Sequence, residues 1–440
     1  MRVTSNKNVL AATALLALLP TTLFAKDLVI HAGRLLDGTS KQARSEVSIV
    51  IKDDSIVAVS EGFVTPAGAE VIDLSKATVL PGFVDAHVHI TTLKRSGNGI
   101  AKAVTNSPLD MALAATVNAR HVLESGVTSV RDTGGLSGVD FALRRAINLG
   151  EVIGPRMWVA GEAVGPTGGH NDWSTGYAED ISRRDWGAGI ADGPYEVTKK
   201  VREQHKLGAG VIKILPSGGV ISVGDDPKAN LMTAEEIKAA VDTAHSLGLK
   251  VAAHAHGKTS IDLAVRMGVD SIEHGTYGDA ESWKLMKEHG TYLVPTLLTG
   301  EILYETAKTR PESMNPSSVA KVLALGERSG QRVADAYKAG VKIAMGSDTG
   351  LGLNPREFSL LVKAGLTPID AILASTRNSA ELIGSDKIGT IQAGRYADIV
   401  AVNGDPLQDI TELERVQFVM KGGVVHKQDG RVQAAPVINP

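Results

Sequence analysis

Val79-Leu80-Pro81-Gly82-Phe83-Val84-Asp85-Ala86-His87-Val88-His89 reads as a buried apolar strand that ends in two histidines two residues apart. Side chains alternate faces along a strand, so His87 and His89 project to the same side at its end. Two imidazoles aimed at one point suit a metal ion. A pair of this kind taken alone is more often chance, or a satisfied core histidine. Its weight depends on what recurs further along the chain.

Short apolar strands are expected at Phe83–Val88, Val127–Arg131, Arg156–Ala160, Val211–Leu215, Lys250–Ala253, Ser271–Glu273, Tyr292–Pro295 and Val341–Met345. Helical patterns lie between most of them, at Ser107–Ser125, Ala234–Leu247, Thr259–Met267 and Ser318–Ala339. Eight strands alternating with helices predict an α/β fold, a (β/α)8 TIM barrel spanning residues 81–387. In that fold the chemistry gathers at the C-terminal ends of the strands. There the chain carries His87 and His89, then Lys213, then His254 and His256, then His274, and after the eighth strand Asp348. Lys213 is the anomaly, because lysine is rarely buried without a partner and burial favours its neutral amine. A neutral amine among cations can act as a nucleophile or take up carbon dioxide as a carbamate. The plainer reading is a lysine that snorkels or pairs with a carboxylate. Arg131-Asp132 ends the second strand and reads as a structural ion pair.

Residues 26–80 read as short strands and turns, and the same texture returns over 388–440. Two β segments at opposite ends of one chain predict a small composite β-sandwich domain with the barrel inserted between them. Residues 1–25 have the pattern of a signal peptide. Arg2 and Lys7 precede an apolar Val9–Leu19 run too short to span a membrane, and Ala25 is a cleavage point. The mature protein is therefore expected to be exported, periplasmic or secreted, with no stable membrane anchor.

Composition narrows the chemistry. Among 440 residues, 43% are hydrophobic and 22% charged, ordinary for a folded protein. A net charge of -3 shows no basic excess, so no nucleic-acid partner is expected. The absence of cysteine excludes disulfides, thiolate-bound zinc and cysteine nucleophiles. Any metal must sit on histidine, carboxylate or a modified side chain. No Gly-x-Ser-x-Gly elbow is present for a serine hydrolase. Two loops could set substrate choice. Gly165–Asp172 follows the third strand and places His170 where it could face a substrate. Pro216-Ser217-Gly218-Gly219 could offer the N–H groups of Gly218 and Gly219 to a carboxylate. The long irregular segment Asn171–Tyr195, with Trp173 and Trp186, is a candidate lid.

The motif Pro81–His89, together with Ser271-Ile272-Glu273-His274-Gly275, Gly346-Ser347-Asp348 and Gly389–Val400, resembles the metal-dependent amidohydrolase superfamily. The likeness is greatest to its imidazolonepropionase-like and Xaa-Pro dipeptidase-like branch, with metallo-carboxypeptidases and ochratoxin-hydrolysing amidohydrolases. The resemblance implies two divalent metal ions, zinc by expectation. His87, His89 and Asp348 would hold one, His254 and His274 the other, and a carbamylated Lys213 would bridge them. It further implies a metal-bridging hydroxide as nucleophile, Asp348 as proton carrier, and His256 on the substrate side helping to polarise the carbonyl. The expected reaction is cleavage of an amide in dipeptides or N-acyl amino acids, by a homo-oligomer. A lactone, phosphotriester or cyclic-amide hydrolase such as an imidazolone hydrolase would use the same centre. A non-catalytic binding protein should lack a ligand or the base, and here every position is filled.

Overall fold

The structure, a computed structural model, describes residues 27–93, 104–181, 184–326 and 328–433. The expected signal peptide lies outside them. Among the described residues no helix is long and apolar enough to cross a membrane.

Four strands open the chain: β1 (Leu28–Leu35), β2 (Arg44–Lys52), β3 (Ser55–Glu61) and β4 (Glu70–Pro81). Seven barrel strands follow: β5 (Phe83–Val88), β6 (Val127–Asp132), β7 (Arg156–Val159), β8 (Val211–Ile214), β9 (Lys250–Ala255), β10 (Ser271–His274) and β11 (Tyr292–Val294). The chain closes with β12 (Ile399–Val402), β13 (Phe418–Lys421), β14 (Val424–Gln428) and β15 (Arg431–Val432). The two ends join in one eight-stranded sheet, ordered β15-β14-β13-β12-β4-β1-β2-β3. The sheet folds over on itself: the Gly423 turn after β13 lies so close to the β2–β3 turn that a Cβ there would meet the Asp53 carbonyl. Ile30, Ile49, Ile56, Ile399 and Phe418 fill the enclosed core.

In the barrel β5, β6 and β7 pair in parallel, as do β8 to β11. A single parallel bridge between Val164 and Ile214 links the two groups. The expected eighth strand is reduced to one bridge, Leu293 with Ile343. It still closes the ring, because Ala344 N–H donates to the Leu293 carbonyl (3.0 Å) and Ala86 N–H to the Met345 carbonyl (2.8 Å). All six residues of β5 are buried, as expected of a parallel strand covered on both faces. The helices begin where the side chains dictate. Ser107 and Asp110 form a capping box before the helix Pro108–Glu124, and Thr233 with Glu236 does the same for Ala234–Ser246. The single helix expected over Ser318–Ala339 is two, Pro316–Leu325 and Arg328–Ala339. Gly326, at φ 58° and ψ -156°, ends the first in a conformation that glycine alone adopts easily.

One ion pair ties the returning sheet to the barrel. The Arg156 guanidinium reaches both oxygens of Asp398 (3.0 and 3.2 Å) and lies over the Tyr396 ring at 3.7 Å. Gly422 N–H donates to the same carboxylate at 2.7 Å. Asp398→Ala is expected to destabilise the protein by about 2–4 kcal/mol, since it strands a half-buried guanidinium and a backbone donor. Denaturant unfolding with the apparent free energy unchanged would contradict this.

Candidate metal centre

β5 delivers His87 and His89 to the rim. The His87 Nδ1–H donates to Glu273 Oε2 at 2.6 Å, and His89 Nδ1–H to the Gly134 carbonyl at 2.9 Å. With their outer nitrogens held, both rings turn Nε2 towards Asp348 Oδ1, at 3.5 and 3.2 Å. The donor atoms of His87, His89 and Asp348 all lie within 4.8 Å of one another. Burial works against ionised Asp348, yet the charge and hydrogen bonds of His87 and His89 hold it well below the usual carboxylate range.

A second group faces the first. The donor atoms of His254, His256 and His274 also lie within 4.8 Å of one another. His274 Nδ1 is hydrogen-bonded to Thr296 Oγ1, and His256 Nδ1 to Thr276 Oγ1, each at 2.7 Å. His254 uses its other nitrogen, with Nε2–H donating to the Gly218 carbonyl at 3.2 Å. Burial, and then repulsion from neighbouring histidines, keeps His254 and His274 well below the usual imidazole range. Burial brings His256 down to about 3. The three rings are therefore neutral, the form a metal takes. Imidazoles oriented by partners on one nitrogen and free on the other are the usual setting of metal ligands, so these two groups fit a pair of divalent ions.

Lys213 ends the third side of the cavity. It is 3% exposed and, among the described residues, makes no hydrogen bond or close ion pair. Burial brings its amine down to about 8. Its charge is felt by Asp348 in the first group and by His254, His256 and His274 in the second. Both groups and Lys213 line one cavity of about 360 Å³.

His170 also lines this cavity and stacks on His254, with ring centroids 4.3 Å apart and an interplanar angle of 20°. Gly219 does not offer its N–H outward, because that group donates to Asp225 Oδ2 at 2.9 Å. The residue must be glycine for another reason: a Cβ there would stand 1.9 Å from His170 Nδ1. Gly218 turns its carbonyl to His254 instead. In the expected lid, Trp173 lines the cavity, whereas Trp186 is buried against Tyr177.

Several supporting residues were not assigned from sequence. Glu273, fully buried, accepts from His87, from Arg131 Nη2 (2.8 Å) and from Ser271 Oγ (2.5 Å). Arg131 therefore pairs with Glu273, while Asp132 accepts from the Ile90 and Gly134 N–H groups. Glu357 caps the helix Leu297–Thr309 from a distance, accepting from Leu297 and Leu298 N–H at 2.9 and 2.7 Å. That helix starts after Thr296, which grips His274. Seven described non-glycine residues have positive φ, and three of them are His274 (72°), Thr296 (51°) and Asp348 (54°). Strain of this kind concentrates at functional sites. His256, assigned from sequence to the substrate side, has its donor atom within 4.8 Å of those of His254 and His274, and so sits with the second donor group.

Comparison with known proteins agrees with this geometry. Residues 78–426 match the amidohydrolase family. Ochratoxinase from Aspergillus niger is 33% identical over 431 residues, covering 92% of this chain and 88% of its own. A solved Xaa-Pro dipeptidase with methionine in its active site superposes with a TM-score of 0.87 at 39% identity, over 91% of this chain and all of that one. A solved prolidase complexed with N-methylphosphonate-L-proline gives 0.84 at 33% identity, over 92% and 100%. Two histidine-rich donor groups around a buried lysine, on a barrel shared with these enzymes, lead to one assignment: the chain belongs to the amidohydrolase family, a metal-binding hydrolase of amide bonds.

Proposed function

We propose that the enzyme is a binuclear metallohydrolase that cleaves the amide of dipeptides or N-acyl amino acids, with the C-terminal residue as leaving group. The observation that carries this reading is the pair of donor groups flanking one buried, unpaired lysine in a single cavity. Relatives described as an ochratoxinase and as dipeptidases support the substrate class.

His87, His89 and Asp348 would hold one ion and His254 with His274 the other. Zinc is the proposed metal. Lys213 would bridge them as a carbamate: its free amine adds to carbon dioxide, a C–N bond forms, and one proton leaves to solvent. An amine lowered to about 8 is available for this at neutral or mildly alkaline pH. When bound, the ions would supply Lewis-acid polarisation and lower the pKa of their shared water. Asp348, held as the carboxylate, takes up the proton of the attacking water at its Oδ atoms and returns it to the leaving nitrogen. An amine leaves poorly without that proton. His256 and His170, which line the same cavity, would face the substrate. Homo-oligomerisation and export to the periplasm or medium belong to the same proposal.

Zinc-loaded protein should turn over members of a panel of dipeptides and N-acyl amino acids faster than lactones or phosphotriesters. Turnover of lactone or phosphotriester alone would overturn the substrate class while keeping the centre.

A further inference from the structure

Three helices stand between β11 and the closing edge of the barrel, where the fold requires one: Leu297–Thr309, Pro316–Leu325 and Arg328–Ala339. The last is the barrel helix, with Val333 and Ala336 buried in the main core. The first two form an extra hairpin that leaves the C-terminal end of β11. From it Leu303, Val322 and Leu325 line the cavity of the metal centre.

The two arms of the hairpin are held differently. The Leu297–Thr309 helix is fastened to the barrel. Its first two N–H groups donate to Glu357, Thr299 Oγ1 donates to the Asp348 carbonyl at 2.9 Å, and Glu301 pairs with Arg356 at 2.7 Å. The Pro316–Leu325 helix buries only Ser318 and Val322 of its ten residues. Among the described residues, its side-chain hydrogen bonds beyond its own cap all end on the loop after β8. Ser318 Oγ donates to the Ile221 carbonyl at 3.1 Å. Lys321 Nζ lies against the Gly219, Ser222 and Asp225 carbonyls (2.6, 2.8 and 3.2 Å) and Asp225 Oδ1 (2.8 Å).

This is the profile of an element that opens locally. Little buried apolar area resists its lifting, so its closed position depends on one ammonium. Charge-assisted hydrogen bonds are strong when made. The Lys321 side chain is 15% exposed, so water stands ready to take the place of the oxygens when they part. Gly326, at φ 58° and ψ -156°, ends the helix at a residue free to rotate.

We propose that the helix Pro316–Leu325 is a lid on the cavity, hinged at Gly326 and latched to the loop after β8 by Lys321 on Asp225. Closure holds the bound amide against the metal centre, and opening admits substrate and releases the amine. Lys321 is a positioning residue, acting through the lid and not on the reacting atoms. The lid goes beyond the substrate reading and does not depend on which amide the centre takes.

Three readouts on the full-length zinc-loaded protein test this. The first is hydrogen exchange followed by mass spectrometry. In Lys321→Met, peptides over 316–325 and 217–226 should exchange roughly tenfold faster, the worth of a hydrogen bond to a charged group, with β9, β10 and Leu297–Thr309 unchanged. Lys321→Arg should stay near the wild type. Unchanged exchange over 316–325, or faster exchange spread through the barrel, would overturn the latch. The second is the split between KM and kcat. Lys321→Met should raise KM without lowering kcat, because bound substrate escapes a lid that does not stay shut. A lower kcat at unchanged KM would overturn this role. The third uses the absence of cysteine from the chain, which leaves Ile221→Cys/Ser318→Cys one possible disulfide, between lid and loop. Oxidation should suppress amide turnover at unchanged metal content, and reduction should restore it. Full turnover by the oxidised form would overturn the lid. If the reduced form turns over no amide, the substrate reading fails, and hydrogen exchange still decides the lid.

Discussion

Glu273→Ala is expected to lower the stability of the protein by about 3–5 kcal/mol, the usual consequence of removing one partner from a buried ion pair. Arg131 is 1% exposed and has its Nη2 on Glu273 at 2.8 Å. Its Nε donates to the Ala86 carbonyl and its Nη1 to Ser271 Oγ, so the guanidinium cannot swing out to water. Truncation leaves that charge in place without its counter-ion. It also frees His87 Nδ1 and so loosens the first donor group. Burial opposes the Glu273 charge, but Arg131 and His87 bring its carboxyl down to about 2, so it is ionised at every working pH. Glu273→Gln keeps the shape and one acceptor, and should fall between wild type and alanine. Unfolding curves that coincide for wild type and Glu273→Ala would refute this role.

Asp348→Asn is expected to reduce kcat by roughly 100- to 10,000-fold, the range attributed to a lost general acid–base group. The side chain keeps its size, but the amide can neither take up a proton nor bind as an anion. Its partners His87 and His89 remain in place, and the backbone N–H of residue 348 still donates to the His87 carbonyl at 2.8 Å. The fold should persist, with the unfolding midpoint near that of the wild type. A variant with kcat within tenfold of wild type would remove Asp348 from the chemistry.

What the sequence shows of this molecule follows from local physics. β5 was legible because its run is apolar throughout and buried on both faces, and His87 and His89 because a strand sends i and i+2 the same way. Lys213 was legible as a charge inside Val211–Ile214. The eighth strand was legible as an apolar run, but its ladder reduces to one bridge, and no pattern of residues foretells that. The break at Gly326 was visible only as a glycine within a helical pattern. The partners were hidden for a different reason. Arg131 reaches Glu273 across 142 residues, and Lys321 reaches the β8 loop across about a hundred. Such pairings depend on how the barrel closes, which hydrophobic period does not encode. The outward N–H expected of Gly219 was lost in the same way, to Asp225 within its own loop.

The central claim is that Lys213 joins two metal ions into one hydrolytic centre. The direct measurement is metal content by elemental analysis together with amide hydrolysis, on wild type and Lys213→Ala side by side. Two metals per chain in the wild type, with metal and activity both lost in the variant, is the result this account predicts. One metal per chain, with activity surviving the substitution, would contradict it and leave Lys213 a structural lysine in the cavity wall.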